Sequence, residues 1–295
     1  MIPDAASCAG RSFSVRTKIP NSLPIWTNRV DKFRDTGYIH KTMKKNLGSS
    51  RAIIEPRKRR GQKDIPSIAV MPCIRLDMDL FERKLTRIQK VQDVWEGKIV
   101  RGRTPGGVDL SLTGPVVAAP HGVILLEQLI ALGARYVFFL GWCGSISPSV
   151  VIGDLVMPRA VVSEEGTSHH YPLPGKRIAP SGLLAGHLSN ALLQRDTAFH
   201  QGKIWTTDAP YRETEDKVIA YGRDGVLAVE MEMSALFKVA LYREVDLAGL
   251  LVVSDELSSL SWKRGFDRPE FREARTAAVE AILLACETVS GAMAG

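Results

Sequence analysis

Three short stretches of the sequence hold side chains able to do chemistry. Glu230-Met231-Glu232 sets two carboxylates two residues apart. Ser254-Asp255-Glu256 follows directly on seven apolar residues, 247–253. Gly141-Trp142-Cys143-Gly144-Ser145 frames a thiol between glycines. An ionised, partly buried carboxylate accepts hydrogen bonds from two vicinal hydroxyls of a sugar, and Glu232 is placed for that. A carboxyl behind a long apolar run is desolvated, which raises its pKa and suits Asp255 to donate a proton. Glycines let the backbone approach a ligand and successive N–H groups cradle an anion, so Gly141 and Gly144 are anion candidates. Each has a plainer alternative: a solvent-facing first-turn Glu, an N-cap Asp and a tight turn. Cys143 has no identifiable base and lacks the residue order of thiol proteases. His169-His170 are adjacent, so they point apart, and no third ligand is evident; no metal is expected.

The elements that must position these residues follow from hydrophobic period. Residues 67–71 read as a short buried strand stopped by Pro72, and 97–100 and 108–112 as an antiparallel pair around Pro105-Gly106-Gly107. Residues 115–119 read as another strand, and 122–132 as a helix ended by Gly133. Residues 136–140 are continuously apolar, the pattern of a strand buried on both faces. Strands at 154–157 and 160–162 and a helix at 183–194 follow. Val229, Met231 and Met233 alternate; Met233, Leu236, Phe237, Ala240 and Leu241 then keep a helical period. Glu230 and Glu232 therefore sit at a strand-to-helix junction, where the helix dipole favours an ionised Glu232. Residues 247–253 form a second fully buried strand, and 269–290 the last helix. Ligands in open α/β sheets bind beyond the carboxyl ends of strands, so the three stretches are expected to wall one pocket.

The chain has 295 residues, 45% hydrophobic and 24% charged, enough for a sizeable core and unlike a disordered chain. No uninterrupted apolar run reaches the ~18–20 residues of a membrane span, and the first ten residues lack the features of a secretory signal. Four scattered cysteines exclude a disulfide scaffold and zinc-ligand spacing. The net charge of +7 is uneven: residues 1–65 hold 15 Lys/Arg against 5 Asp/Glu, and the remainder is mildly acidic. Nucleic acid is therefore not expected as the substrate of the folded body. The division is a basic N-terminal extension, 1–62, solvated or packed as an arm on another subunit, and a catalytic domain, 63–295, in a cytoplasmic protein.

Val229-Glu230-Met231-Glu232 and Ala235 resemble the Val-Glu-Met-Glu-x-x-Ala signature of the nucleoside phosphorylase superfamily, which holds hexameric purine nucleoside phosphorylases, uridine phosphorylases and methylthioadenosine nucleosidases. Gly141 to Ser145, Gly153-Asp154-Leu155-Val156, Gly166 to Tyr171, Thr206 to Tyr211 and Ser254-Asp255 resemble further family segments in the same order. The resemblance spans roughly 65–290. It implies a three-layer α/β/α sandwich with a mixed, partly barrel-like central sheet, and cleavage of a purine nucleoside's N-glycosidic bond without a cofactor, phosphate being co-substrate. It implies ribose binding by Met231 and Glu232, base contacts from Tyr171 and Ser254, and proton donation by Asp255. Phosphate would fall to Arg75, with Arg101 or Arg103, and to Gly141 and Gly144. The sequence departs from the family where phosphate is held: Phe139 replaces an Arg, Trp142 replaces a Ser or Thr, and Cys73-Ile74-Arg75 alters the first loop. The hydrolytic members need a Glu in that loop, and the nearest acid is Asp77. A binding relative without turnover is the third possibility. The resemblance also implies a homo-oligomer, a dimer or trimer of dimers. It would assemble around Val116 to Leu132, with residues 35–50 and His40 as an arm over a partner's pocket.

Overall fold

In the computed structural model, which describes residues 52–94 and 97–294, strands and helices alternate from Ile68 onward. β1 (Ile68–Pro72) leads into α1 (Arg75–Lys84), then a meander of β2 (Thr86–Val94), β3 (Gly97–Arg103) and β4 (Asp109–Gly114). α2 (Ala118–Leu132), β5 (Tyr136–Ser145), β6 (Leu155–Glu164), α3 (Gly182–Gln194) and β7 (His200–Thr207) follow. The chain ends with α4 (Glu215–Arg223), β8 (Val226–Glu230), α5 (Met233–Tyr242), β9 (Asp246–Glu256), the short β10 (Lys263–Arg264) and α6 (Pro269–Ala294). The strands form one mixed sheet. β9, β6, β7, β8 and β5 pair in sequence, and β5 returns to β9, closing a five-stranded barrel. β1, β4, β3 and β2 continue from β5 as an open wing.

β5 and β9 are apolar throughout because both their faces are covered. Phe139 and Leu251 pack with Val123 and Leu126 of α2 and Leu236 and Phe237 of α5. Phe138 and Leu250 point the other way, onto Phe81 of α1, Leu188 of α3 and Ile282 of α6. Each such side chain contributes about 1.5–3 kcal/mol on full burial. This is the expected α/β/α sandwich with a barrel-like centre. By length and composition α6 could cross a membrane. Here its apolar stripe, with Phe271, Ala278 and Ile282, is buried in the second core layer.

The structure corrects several local expectations. Residues 115–119 are not a strand. The Gly114–Pro115 bond is cis, Val116 N–H turns to the Pro72 carbonyl, and α2 begins at Ala118. Leu155–Glu164 form one strand where two were expected, at 154–157 and 160–162. Residues 141–145 are not a glycine turn but the second half of β5, and 254–256 still belong to β9. Residues 52–67 contain no helix and no strand before β1, and Arg57 to Arg60 are exposed there. His40 and the expected arm lie outside the described residues.

Candidate active site

The end of β5 brings the three chemical stretches together. Gly144 pairs with Val229 of β8 on one side and with Asp255 of β9 on the other. Opposite Cys143 and Gly144 the β9 register skips Ser254, a bulge that re-aims its side chain and that of Asp255. Gly144 is a glycine for space: a Cβ there would lie 3.0 Å from Asp255 Oδ2 and 2.6 Å from Leu257. Gly141 answers to packing instead, its Cβ position lying 2.6 Å from the Phe139 ring and 2.9 Å from Leu251. The result is a cavity of about 540 Å³ against which Gly144, Met231, Glu232, Ser254 and Asp255 all lie.

Glu230 and Glu232 share the floor. Glu230 Oε2 accepts the N–H groups of Glu232 (2.6 Å) and Met233 (2.8 Å), and Thr206 donates its hydroxyl to Oε1. The start of α5 is thus capped by Glu230, while Glu232 occupies the N-cap position and its Oε1 accepts Ala118 N–H at 2.7 Å. Ala118 holds the left-handed conformation, φ 60°, at the first turn of α2. The expectation of an ionised Glu232 is corrected for the free protein: burial, then the adjacent Glu230, pushes its carboxyl up to about 8. Burial likewise pushes Glu230 up to about 7 against its three donors.

That shift has a sign that stability measurements can read. Glu232 keeps its proton in the folded chain to about pH 8, whereas in the unfolded chain it ionises near its ordinary value of 4.5. Between those values the folded state holds more protons, so stability falls as pH rises, by at most ~1.4 kcal/mol per pH unit for each proton. Urea midpoints between pH 6 and 8 should decline for the wild type; Glu232→Gln should lose the decline between pH 7 and 8 and keep the part below pH 7 that Glu230 and Glu213 contribute. An undiminished slope between pH 7 and 8 in the variant would place that proton on another group.

Asp255 stands above the floor at the end of β9. Its Oδ1 accepts the Ser254 hydroxyl at 2.6 Å and its Oδ2 the Trp262 indole N–H at 2.8 Å. Glu213, on the turn after Pro210 to Arg212, lines the same cavity, and burial, then Asp255, pushes its carboxyl up to about 7. Ile74, Val116, Val117, Trp142 and Phe266 supply an apolar wall. Trp142 is fixed there from behind. Its indole N–H donates to Asp77 at 2.6 Å, Arg275 bonds the other Asp77 oxygen at 2.6 Å, and the guanidinium lies 5.1 Å from the indole centroid. Asp77, which holds both, is fully buried and is not part of the cavity lining.

Four sequence candidates lie elsewhere. Tyr171 donates to Glu127 at 3.1 Å and meets Tyr242 edge-on, in a cluster where Arg243 also binds Glu127. Buried Glu165 accepts Ser168 N–H and the hydroxyls of Ser163 and Ser234, drawing the turn before Tyr171 toward α5. The aromatic residues at the cavity are instead Trp142, Tyr211, Trp262 and Phe266. Arg75 is exposed and paired with Asp79 at 3.1 Å. Arg101 donates to the Asp64 carbonyl and Arg103 to Asp109, both on β3. Among the described residues the cavity lining includes Glu213, Glu230, Glu232 and Asp255 but no Lys or Arg. Glu213 and Trp262 escaped sequence reasoning, because each is a lone residue in an irregular connection with no period to read; Tyr211 closed a segment singled out by resemblance but was given no role.

The sequence profile of the phosphorylase superfamily matches residues 68–288, from β1 to α6. The chain belongs to the phosphorylase superfamily. It is 26% identical over 194 residues to a guanosine phosphorylase of Halorubrum lacusprofundi, covering 66% of this chain and 80% of that one. It is 29% identical over 154 residues to a DeoD-type purine nucleoside phosphorylase of Bacillus cytotoxicus, covering 51% of this chain and 65% of that relative. Purine nucleoside phosphorylase from Toxoplasma gondii, solved with immucillin-H, superposes with a TM-score of 0.72 at 18% identity, over 81% of this chain and 98% of that one. Uridine phosphorylase from Vibrio fischeri gives 0.68 at 18% identity, over 79% and 100%. At that identity the superfamily's two structures speak for the fold.

Proposed function

We propose that this phosphorylase superfamily member cleaves the N-glycosidic bond of a purine nucleoside, releasing free base and, with phosphate as acceptor, ribose 1-phosphate. The observation that carries this reading is that Glu232 and Asp255, from separate elements, face one cavity of nucleoside size. The bonding electrons of the C–N bond leave with the base, which takes up a proton at the purine ring nitrogen N7, and Asp255 is the candidate to deliver it. Positive charge builds on the sugar and is stabilised by the carboxylates of Glu232 and Glu230. Ribose hydroxyls that donate to Glu232 favour its ionised form and expel the proton it holds in the free protein. Met231 packs beside the sugar. A phosphate oxygen then bonds C1′.

The superfamily relatives support phosphate as that acceptor. Arg75, next to Ile74 of the cavity wall, is the candidate to meet it by leaving the exposed Asp79 pair, which holds it weakly. One observation favours water as a second reading: the described lining offers four carboxylates and no cation to an anion. The protein works without a bound cofactor, in the cytoplasm, as a homo-oligomer. Incubating the full chain with purine and pyrimidine nucleosides, with and without phosphate, and assaying free base tests both readings. Phosphate-dependent release of base and ribose 1-phosphate is expected. Equal release in phosphate-free buffer, yielding ribose, would replace phosphorolysis by hydrolysis. Release from no nucleoside would overturn the function.

A further inference from the structure

A second cleft, of about 290 Å³, shares no lining residue with the nucleoside cavity. Ser163 of β6, Ser168 and His169 of the turn Thr167–His170, Arg177 of the loop that follows, and Ser234 and Lys238 of α5 converge on it. The two clefts have opposite character. The nucleoside cavity offers carboxylates and no cation; this one offers an imidazole, a guanidinium and an ammonium, and no Asp or Glu lines it among the described residues. Among those residues no hydrogen bond or ion pair holds the side chain of His169, Arg177 or Lys238. Two fixed positive charges, one from a loop and one from a helix, thus face a concave surface without a counter-charge. The serines beside them are held from below. Buried Glu165, which is not part of the lining, accepts the hydroxyls of Ser163 at 2.9 Å and Ser234 at 2.8 Å and the Ser168 N–H at 2.9 Å. A serine that has donated its hydrogen keeps only lone pairs, so Ser163 and Ser234 are left as acceptors.

We infer that this cleft is a second ligand site, which binds a small phosphate ester bearing hydroxyl groups: Arg177 and Lys238 hold the phosphate, and Ser163 and Ser234 accept from the hydroxyls. The inference does not depend on the proposed nucleoside chemistry. A guanidinium presents a planar fork that matches two phosphate oxygens, and a lysine ammonium adds a point charge with rotatable donors. His169 brings a further N–H. The ligand that suits both halves of the cleft carries an anion at one end and donors at the other. A free sugar lacks the anion, and inorganic phosphate lacks the row of hydroxyls. Because no residue is common to the two linings, both clefts can be filled at once.

The test titrates the full chain calorimetrically with ribose 5-phosphate, inorganic phosphate and ribose, as wild type, Arg177→Ala, Lys238→Ala, Lys238→Arg and Arg75→Ala. Melting curves confirm that every variant is folded. Ribose 5-phosphate should bind once per chain, about 10-fold more tightly than inorganic phosphate, with no measurable heat from ribose. Arg177→Ala and Lys238→Ala should each weaken the ester by about 10–100-fold, the range of a hydrogen bond to a charged group. Lys238→Arg should keep most of the affinity, because it keeps the charge. Arg75→Ala, beside the nucleoside cavity, should leave ester binding unchanged. A wild type that binds no ester, ester affinity that survives both Arg177→Ala and Lys238→Ala, or affinity lost in Arg75→Ala overturns the inference. Inorganic phosphate that binds as tightly as the ester overturns it too, since the hydroxyl contacts would then be absent. Cleavage of nucleosides by Arg177→Ala and Lys238→Ala should match the wild type, because neither residue lines the nucleoside cavity. If no nucleoside is cleaved but the ester binds through Arg177 and Lys238, the proposed function falls and the second site stands.

Discussion

Asp255→Asn should lower the turnover of purine nucleosides by about 10²–10⁴-fold, the range general acid catalysis typically contributes, with little change in KM. The substitution keeps the side chain's size. The amide oxygen still accepts one of the two donors, Ser254 O–H or Trp262 N–H, that now hold the carboxyl group. What it removes is the proposed proton donor to the leaving purine. Loss of turnover alone would not separate a lost proton from a disturbed bulge. A ribosyl substrate with a nitrophenolate leaving group makes that separation, because this leaving group departs as a stable anion and needs no proton. The variant should retain most of the wild-type rate on the nitrophenyl riboside while losing it on the purine substrate. Equal losses on both would take proton donation away from Asp255 and leave it a structural part of the β9 bulge.

How far the sequence disclosed this site depends on the range of the interactions involved. Residues 136–140 and 247–253 are legible as central strands because burial on both faces leaves an uninterrupted apolar run. The switch from period two to helical period at Met233 marks the junction that carries Glu230 and Glu232. Those features are local, and a single segment reveals them. Residues 115–119 are short and apolar, a pattern that fits a strand, or the entry to a helix, equally well by period. Two glycines at 141 and 144 are turn signals locally, yet both answer to side chains from other strands: Leu251 beside one and Asp255 beside the other. Tyr171 sits in a segment that resembles a base-binding stretch, but its direction is decided by Glu165 and Glu127, and through the latter by Arg243. Glu213 looks like any charged residue ahead of a helix. Its place in the cavity wall shows only in the assembled fold.

Glu232→Ala should reduce kcat/KM for ribonucleosides by about 10–150-fold, the equivalent of ~1.5–3 kcal/mol for a hydrogen bond to a charged group. The effect should be largest where the hydroxyls are present. A 2′,3′-dideoxynucleoside has no donor for Glu232 and loses only the charge opposite the developing sugar cation, so its activity should fall less than that of the ribonucleoside, and the preference for ribose should shrink. Alanine also strips Ala118 N–H of its acceptor at the first turn of α2, where the backbone already holds φ 60°. Part of any loss could therefore come from a displaced wall. Glu232→Gln resolves this, because the amide oxygen still accepts Ala118 N–H while the charge opposite the developing sugar cation is gone. If the carboxylate acts on the sugar, Gln should lose turnover nearly as Ala does, with α2 held in place and the melting temperature kept. If Gln is fully active, Glu232 serves only to anchor Ala118. If ribo and dideoxy substrates lose the same factor in both variants, the hydroxyl contact is wrong and the sugar lies elsewhere in the cavity.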